Sequence, residues 1–147
     1  MIKLNKDTRL SRILHVLIHM DQHKAPLTSE KIAIMLNTNP TVVRRTLAGL
    51  REVGYVNSEK GHNGGWTLAK PLCEISLSDV YESLGSPEIF ALGFSNNNPR
   101  CLIELSVNDS LKQSLEEANN VILKSFKEIT LDSIARDFKN TNCKPLK

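Results

Sequence analysis

Apolar residues recur at helical spacing through most of this 147-residue chain. Leu10, Ile13, Leu14, Leu17, Ile18 and Asp21 share one side, with Val16 and Met20 on its flank. That pattern predicts a first helix, capped by Asp7 or Thr8 and running to about Gln22. Pro26 breaks the chain between Lys24 and Leu27. Thr28 or Ser29 then starts a short helix, Glu30 to Leu36, with Ile32, Ala33, Met35 and Leu36 as its apolar set. Asn37-Thr38-Asn39 makes a tight turn into a third helix, Asn39 to Val53. Asn39 can cap it, and Pro40 fits its first position, where no N–H is needed. At about 100° per residue, Val42, Val43, Leu47, Leu50 and Val53 gather on a core face. Thr41, Arg44, Arg45, Ala48, Arg51 and Glu52 gather on the other. Ile32 and Leu36 are expected to pack on Val43 and Leu47.

Beyond Gly54, expected as a left-handed helix cap, the period changes. Tyr55 to Ser58 reads as a strand and Gly65 to Ala69 as its return, closed by Pro71. The loop between them holds glycines at 61 and 64 and abuts Gly65, so it can take positive φ and approach another backbone closely. Ser76-Leu77-Ser78-Asp79 is a capping-box variant opening a helix with Leu77, Val80, Tyr81 and Leu84 apolar, ended near Gly85. Pro87 to Phe94 is a short apolar piece, and Ser95 to Pro99 a loop by composition. A long helix is predicted from Asn108 to about Glu128, with a near-heptad seam of Leu111, Leu115, Ala118, Ile122, Ser125 or Phe126, and Ile129. Val121 and Leu123 widen that face. So long a stripe outruns what one small domain can cover, which predicts pairing with a second copy, alongside packing on its own chain. A last helix follows, Leu131 to Phe138, then a polar tail, Lys139 to Lys147, expected to fray. The fold class is mainly α with a small β-hairpin. Residues 1–85 are expected to form a winged helix-turn-helix domain and residues 86–147 a dimerisation region.

Charge sharpens this picture. Residues 1–70 carry eleven Lys or Arg against five Asp or Glu, whereas residues 71–147 carry eight against eleven. The basic half is the one suited to a polyanion. No apolar run approaches the roughly 20 residues that span a bilayer, and Met1 to Leu10 lacks a signal-peptide apolar region, so a soluble cytoplasmic protein is expected. Cys73, Cys101 and Cys143 are odd in number, widely separated and without a CxxC pair, which argues against a disulfide framework or a local zinc site.

A helix that is apolar on one side and short and cationic on the other fits the major groove of duplex DNA, with Arg44 and Arg45 available for guanine edges or phosphates. Short helix, turn, basic helix and glycine-rich hairpin together read as a winged helix-turn-helix. Its wing tip, Lys60, His62 and Asn63, can reach an adjacent minor groove or phosphates. His15, His19 and His23 recur every four residues on the outer face of the first helix, near Arg12. That spacing suits a metal, but no carboxylate or thiol is spaced to complete a site, and a polar helix face accounts for it, so no metal is expected. The chain has no GxSxG, P-loop, HExxH or plausible carboxylate pair, and an enzyme is not expected. The alternative is a winged helix whose basic face meets an acidic protein partner.

The segment Gly61-His62-Asn63-Gly64-Gly65-Trp66-Thr67-Leu68-Ala69-Lys70, followed by Ile75-Ser76-Leu77-Ser78-Asp79-Val80-Tyr81, resembles the Rrf2 family of bacterial transcription regulators, which carries a G-x-x-G-G-[YW]-x-L-[AG] wing followed by I-[ST]-L-x-[DE]-[VI]. The likeness covers nearly the whole chain. It implies a homodimer binding a palindromic operator in double-stranded DNA, usually as a repressor, with DNA contacts from Asn39, Pro40, Thr41, Arg44 and Arg45 and from Gly61, His62 and Asn63. Dimerisation falls on Leu111, Leu115, Ala118, Ile122, Phe126 and Ile129. The best-known members hold an iron–sulfur cluster on three close cysteines just before the long helix. Only Cys101 lies there, so no cluster is expected, the chain looks closer to the cluster-free branch, and the effector is not named. Cys101 reads either as a small buried residue opening an apolar run or as a redox-sensing thiol poised by Arg100.

Overall fold

The computed structural model describes residues 7–95 and 100–141. Helix α1 runs Arg9–Gln22, α2 Ser29–Leu36 and α3 Pro40–Glu52. Strands β1, Val56–Glu59, and β2, Gly65–Leu68, follow, then a 3-10 turn, Leu72–Glu74. Helices α4, Leu77–Ser83, α5, Leu102–Glu128, and α6, Leu131–Thr141, complete the chain. Mainly α with one antiparallel hairpin, this is the predicted class.

The predicted stops are physical ones. The Thr28 hydroxyl accepts the Lys31 amide at the start of α2, and Asn37 closes it in the left-handed region at φ 51°. Asn39 Oδ1 accepts the Val42 amide, with Pro40 in the first position of α3. Gly54, at φ +82°, donates its amide to Arg51 O and turns the chain out of α3. Ser76 and Asp79 form a reciprocal capping box at the head of α4. At α1, Asp7 rather than Thr8 serves: its Oδ1 accepts the Arg9 amide at 3.1 Å, and the Thr8 side chain makes no cap.

The core joins all the elements but α5. Ile13, Val16, Leu17, Met20, Ile32, Ala33, Val43, Leu47, Leu50, Val56, Trp66, Leu72, Ile75 and Val80 are buried together, and Leu131 and Ala135 of α6 join them. The Leu77 amide donates to Ile129 O and the Leu131 amide to Ile75 O, both at 2.9 Å, which stitches the end of α5 and the start of α6 to the entry of α4. The C-terminal helix thus returns to the core of the N-terminal half.

Several expectations change. On α1, Val16 and Met20 are buried and lie at the centre of the stripe, while Leu10, Leu14 and Ile18 are half-buried and Asp21 is exposed. On α3, Val42 and Val53, 42% and 51% exposed, leave the core face. The long helix begins at Leu102, a turn and a half before Asn108. Leu27, read as part of a break, pairs with Trp66 through reciprocal backbone bonds of 3.0 and 2.8 Å and extends the hairpin by one bridge. Cys101 is exposed at the head of α5, not buried. Pro87 to Phe94 forms neither helix nor strand. Residues 96–99 of the predicted loop, and Cys143 with the rest of the tail beyond residue 141, lie outside the described residues.

Candidate nucleic-acid interface

Helix α3 is anchored by one face and displayed by the other. Val43, Leu47 and Leu50 are at most 2% exposed. Burying three such side chains is worth roughly 5 kcal/mol or more against leaving them in water, so the rotation of α3 is fixed. That rotation puts Thr41, Arg44 and Arg45 in solvent. The Arg44 guanidinium reaches Glu30 Oε1 of α2 at only 3.5 Å, and both side chains are more than half exposed. An ion pair this long and wet is worth little and does not compete with a phosphate. Among the described residues Arg45 makes no ion pair.

Arg51, placed by the sequence on the same cationic face, does something different. Its Nη1 donates to Ser58 Oγ of β1 at 3.0 Å, and its guanidinium carbon lies 5.9 Å from the centre of the Trp66 ring of β2. It ties the helix to the hairpin. Trp66 in turn is buried and donates its indole N–H to Ser29 Oγ at 3.0 Å. The Leu27 bridge holds the same residue by its backbone. A Cβ on Gly65 would stand 2.6 Å from Leu27 O, and Gly65 has φ +149°, so only glycine permits that approach. Helix and wing are therefore one rigid head.

The hairpin pairs Val56 with Leu68 and Glu59 with Gly65. Its tip, Lys60 to Asn63, is wholly exposed. The Gly64 amide donates to Gly61 O at 3.0 Å, and the left-handed positions are Gly61, at φ 98°, and Asn63, at φ 67°. Gly64, expected to supply positive φ, instead leaves room for Glu59 O, which a Cβ would meet at 2.3 Å.

Two contributors were not read from the sequence. Arg9, at the head of α1, lines a shallow cleft with Val42, Arg45, Thr46 and Gly49. It is already paired with Asp7 at 2.6 Å, and the Arg9 side chain holds the Asp7 carboxyl down to about 2. The exposed methyls of Val42 stand beside it, an apolar group of the kind that meets a thymine methyl. Neither has a periodic signal: one precedes the helical stripe and the other looks like core.

Cys101 precedes the first turn of α5. Its thiol pKa is lowered by the backbone N–H of Glu104 and then of Ile103, the free amides of a helix N-terminus, and not by Arg100. A cluster with three thiolates from one chain does not fit these residues. Cys73 stands after the hairpin, Cys101 alone precedes the long helix, and among the described residues no three His, Cys, Asp or Glu are grouped to hold a metal.

The predicted dimer seam divides. Leu111 is 42% exposed and Ala118 exposed, whereas Leu115, Ile122 and Ile129 are half-buried. Phe126 meets Tyr81 of α4 edge to face at 5.7 Å within the same chain. Further exposed apolar residues lie ahead of the seam, at Leu102, Ile103, Leu105 and Val107. No residue of α5 is buried.

A short helix and turn that aim a basic helix, with a glycine-tipped hairpin locked to it, define a winged helix-turn-helix protein of the DNA-binding class. Residues 6–137 match the family model described as Rrf2, iron-dependent transcriptional regulator. The chain belongs to the Rrf2 family of transcriptional regulators; these are DNA-binding proteins, not enzymes. It is 32% identical over 130 residues, 84% of this chain and 95% of the relative, to YwnA of Bacillus subtilis (strain 168), assigned by name as an HTH-type transcriptional regulator. Its fold is similar to that of a protein from Lactobacillus plantarum assigned as a transcriptional regulator, with TM-score 0.75, 23% identity and 91% of each chain covered. It is also similar to that of IscR of T. potens, with TM-score 0.70, 21% identity, and 95% of this chain and 91% of that one covered. No helix among the described residues is long and apolar enough to cross a membrane.

Proposed function

We propose that the protein is a sequence-specific repressor that binds a palindromic operator as a homodimer, without an iron–sulfur cluster of its own. The reading is carried by one observation: Arg44 and Arg45 stand unburied at the head of a helix whose opposite face is sealed in the core. In a major groove they would serve base edges and phosphates, with Thr41, Asn39 and Pro40 setting the approach. Lys60, Gly61, His62 and Asn63 would follow the flanking backbone or minor groove.

Dimerisation is supported by α5. Its 27 residues extend about 40 Å, and its N-terminal half leaves Leu102, Ile103, Leu105, Val107 and Leu111 exposed among the described residues. A second copy would cover them and set two recognition helices about 34 Å apart, one turn of DNA. Residues 1–85 would read DNA and residues 86–147 would dimerise, with α6 bracing the two. That Cys101 is the one cysteine just before the long helix supports a cluster-free regulator.

Replacing Arg44 and Arg45 together by alanine should abolish the gel shift of an operator fragment while sedimentation still finds two chains. Each such contact is worth roughly 1–3 kcal/mol, so the pair should cost about thirtyfold or more. Operator binding at wild-type affinity would refute the assignment.

A further inference from the structure

DNA recognition leaves the histidines of α1 unused. His15 Nε2 and His19 Nε2 share a hydrogen bond of 2.9 Å, with their ring centres 4.6 Å apart and edge on. Two nitrogens bound cis on one tetragonal ion, at bonds of about 2.0 Å, are separated by about 2.8 Å. A tetrahedral ion would need them somewhat wider. The backbone beneath is immobile, because Val16, Leu17 and Met20 on the neighbouring face are buried. The two rings are thus held one turn apart by a helix that cannot rotate.

The His23 ring centre lies 6.3 Å from that of His19, on the extended residue that closes α1. Among the described residues no third ligand completes a group of three.

We propose that His15 and His19 form a bidentate site, completed by water, for a late first-row divalent ion of tetragonal preference, Ni2+ or Cu2+. The ring that donates its Nε2–H in the metal-free chain takes the Nδ1–H tautomer on binding, so that both rings carry their proton on Nδ1 and give the Nε2 lone pair to the ion. The ion clamps one turn of α1, the helix against which α2, α4, α6 and β2 pack. Binding to the folded chain alone then raises its melting temperature.

The test is calorimetric titration of the full chain with Ni2+, beside thermal unfolding. Wild type should bind one equivalent and melt higher with Ni2+. Either His15→Ala or His19→Ala loses the chelate and should bind on the order of a hundredfold more weakly, with unchanged helical circular dichroism, while Cys73→Ser binds as wild type. Wild-type affinity in both alanine variants, or no binding by wild type, would overturn the proposal.

Discussion

Gly65 and Asp79 show how single residues set the reading head. Gly65 lets Leu27 O come within bonding range of the Trp66 amide, a contact that any Cβ would block. Gly65→Ala should therefore cost about 3 kcal/mol from steric overlap and backbone strain, read as a lower urea midpoint; an unchanged midpoint would mean the hairpin is not pinned there. Asp79 is a pH-dependent cap. Burial pushes its pKa up, but the Ser76 amide and hydroxyl, Tyr55 and the charge of Lys70 pull it further down, and the net shift is down. A depressed carboxylate stabilises the fold above its unfolded pKa, and that contribution is lost as pH falls through the folded value. The stability gap between wild type and Asp79→Ala should thus be full, at about 1 kcal/mol, above roughly pH 5. It should shrink steadily below about pH 4. A gap that held constant into acid would contradict the reciprocal cap.

Elements differ in how plainly the chain spells them. Caps were legible because they depend on one side chain and one amide: Thr28, Asn39 and Ser76 all act where the sequence put them. The rotation of α1 was not, because apolar residues cover more than half its circumference and the packed partners decide which row lies deepest. Val42 and Val53 lie at the edge of the apolar arc of α3, about 80–100° round from buried Val43, so periodicity alone over-counts the buried face. The start of α5 was placed late because Leu102 to Val107 has apolar residues on several sides and no sharp capping signal; Cys101 makes no side-chain cap. The Leu27 bridge and the Arg51 tie join residues 39 and 7 positions apart, and neither leaves a periodic trace. For α5 the exposed apolar row predicts a partner. Replacing Val107 and Leu111 by Asp should halve the sedimenting mass while circular dichroism keeps its helical form; a wild type that sediments as one chain would remove the basis for pairing.

At the scale of the molecule, charge and shape agree. The basic half of the chain carries α3 and the wing on one rigid head. The acidic half supplies α5, whose N-terminal apolar residues are exposed, and α6, which returns Leu131 to the common core. A head fixed to its own chain through that core moves with α5, so the geometry of any pair would set the spacing of two heads. This account makes a direct demand on DNA. Hydroxyl-radical footprinting of the wild-type protein on duplexes selected from a random pool should reveal two symmetric protected patches on one face, with centres about one helical turn apart, and both should vanish together in the Arg44→Ala, Arg45→Ala variant. A single patch, or two patches that survive that substitution, would contradict it.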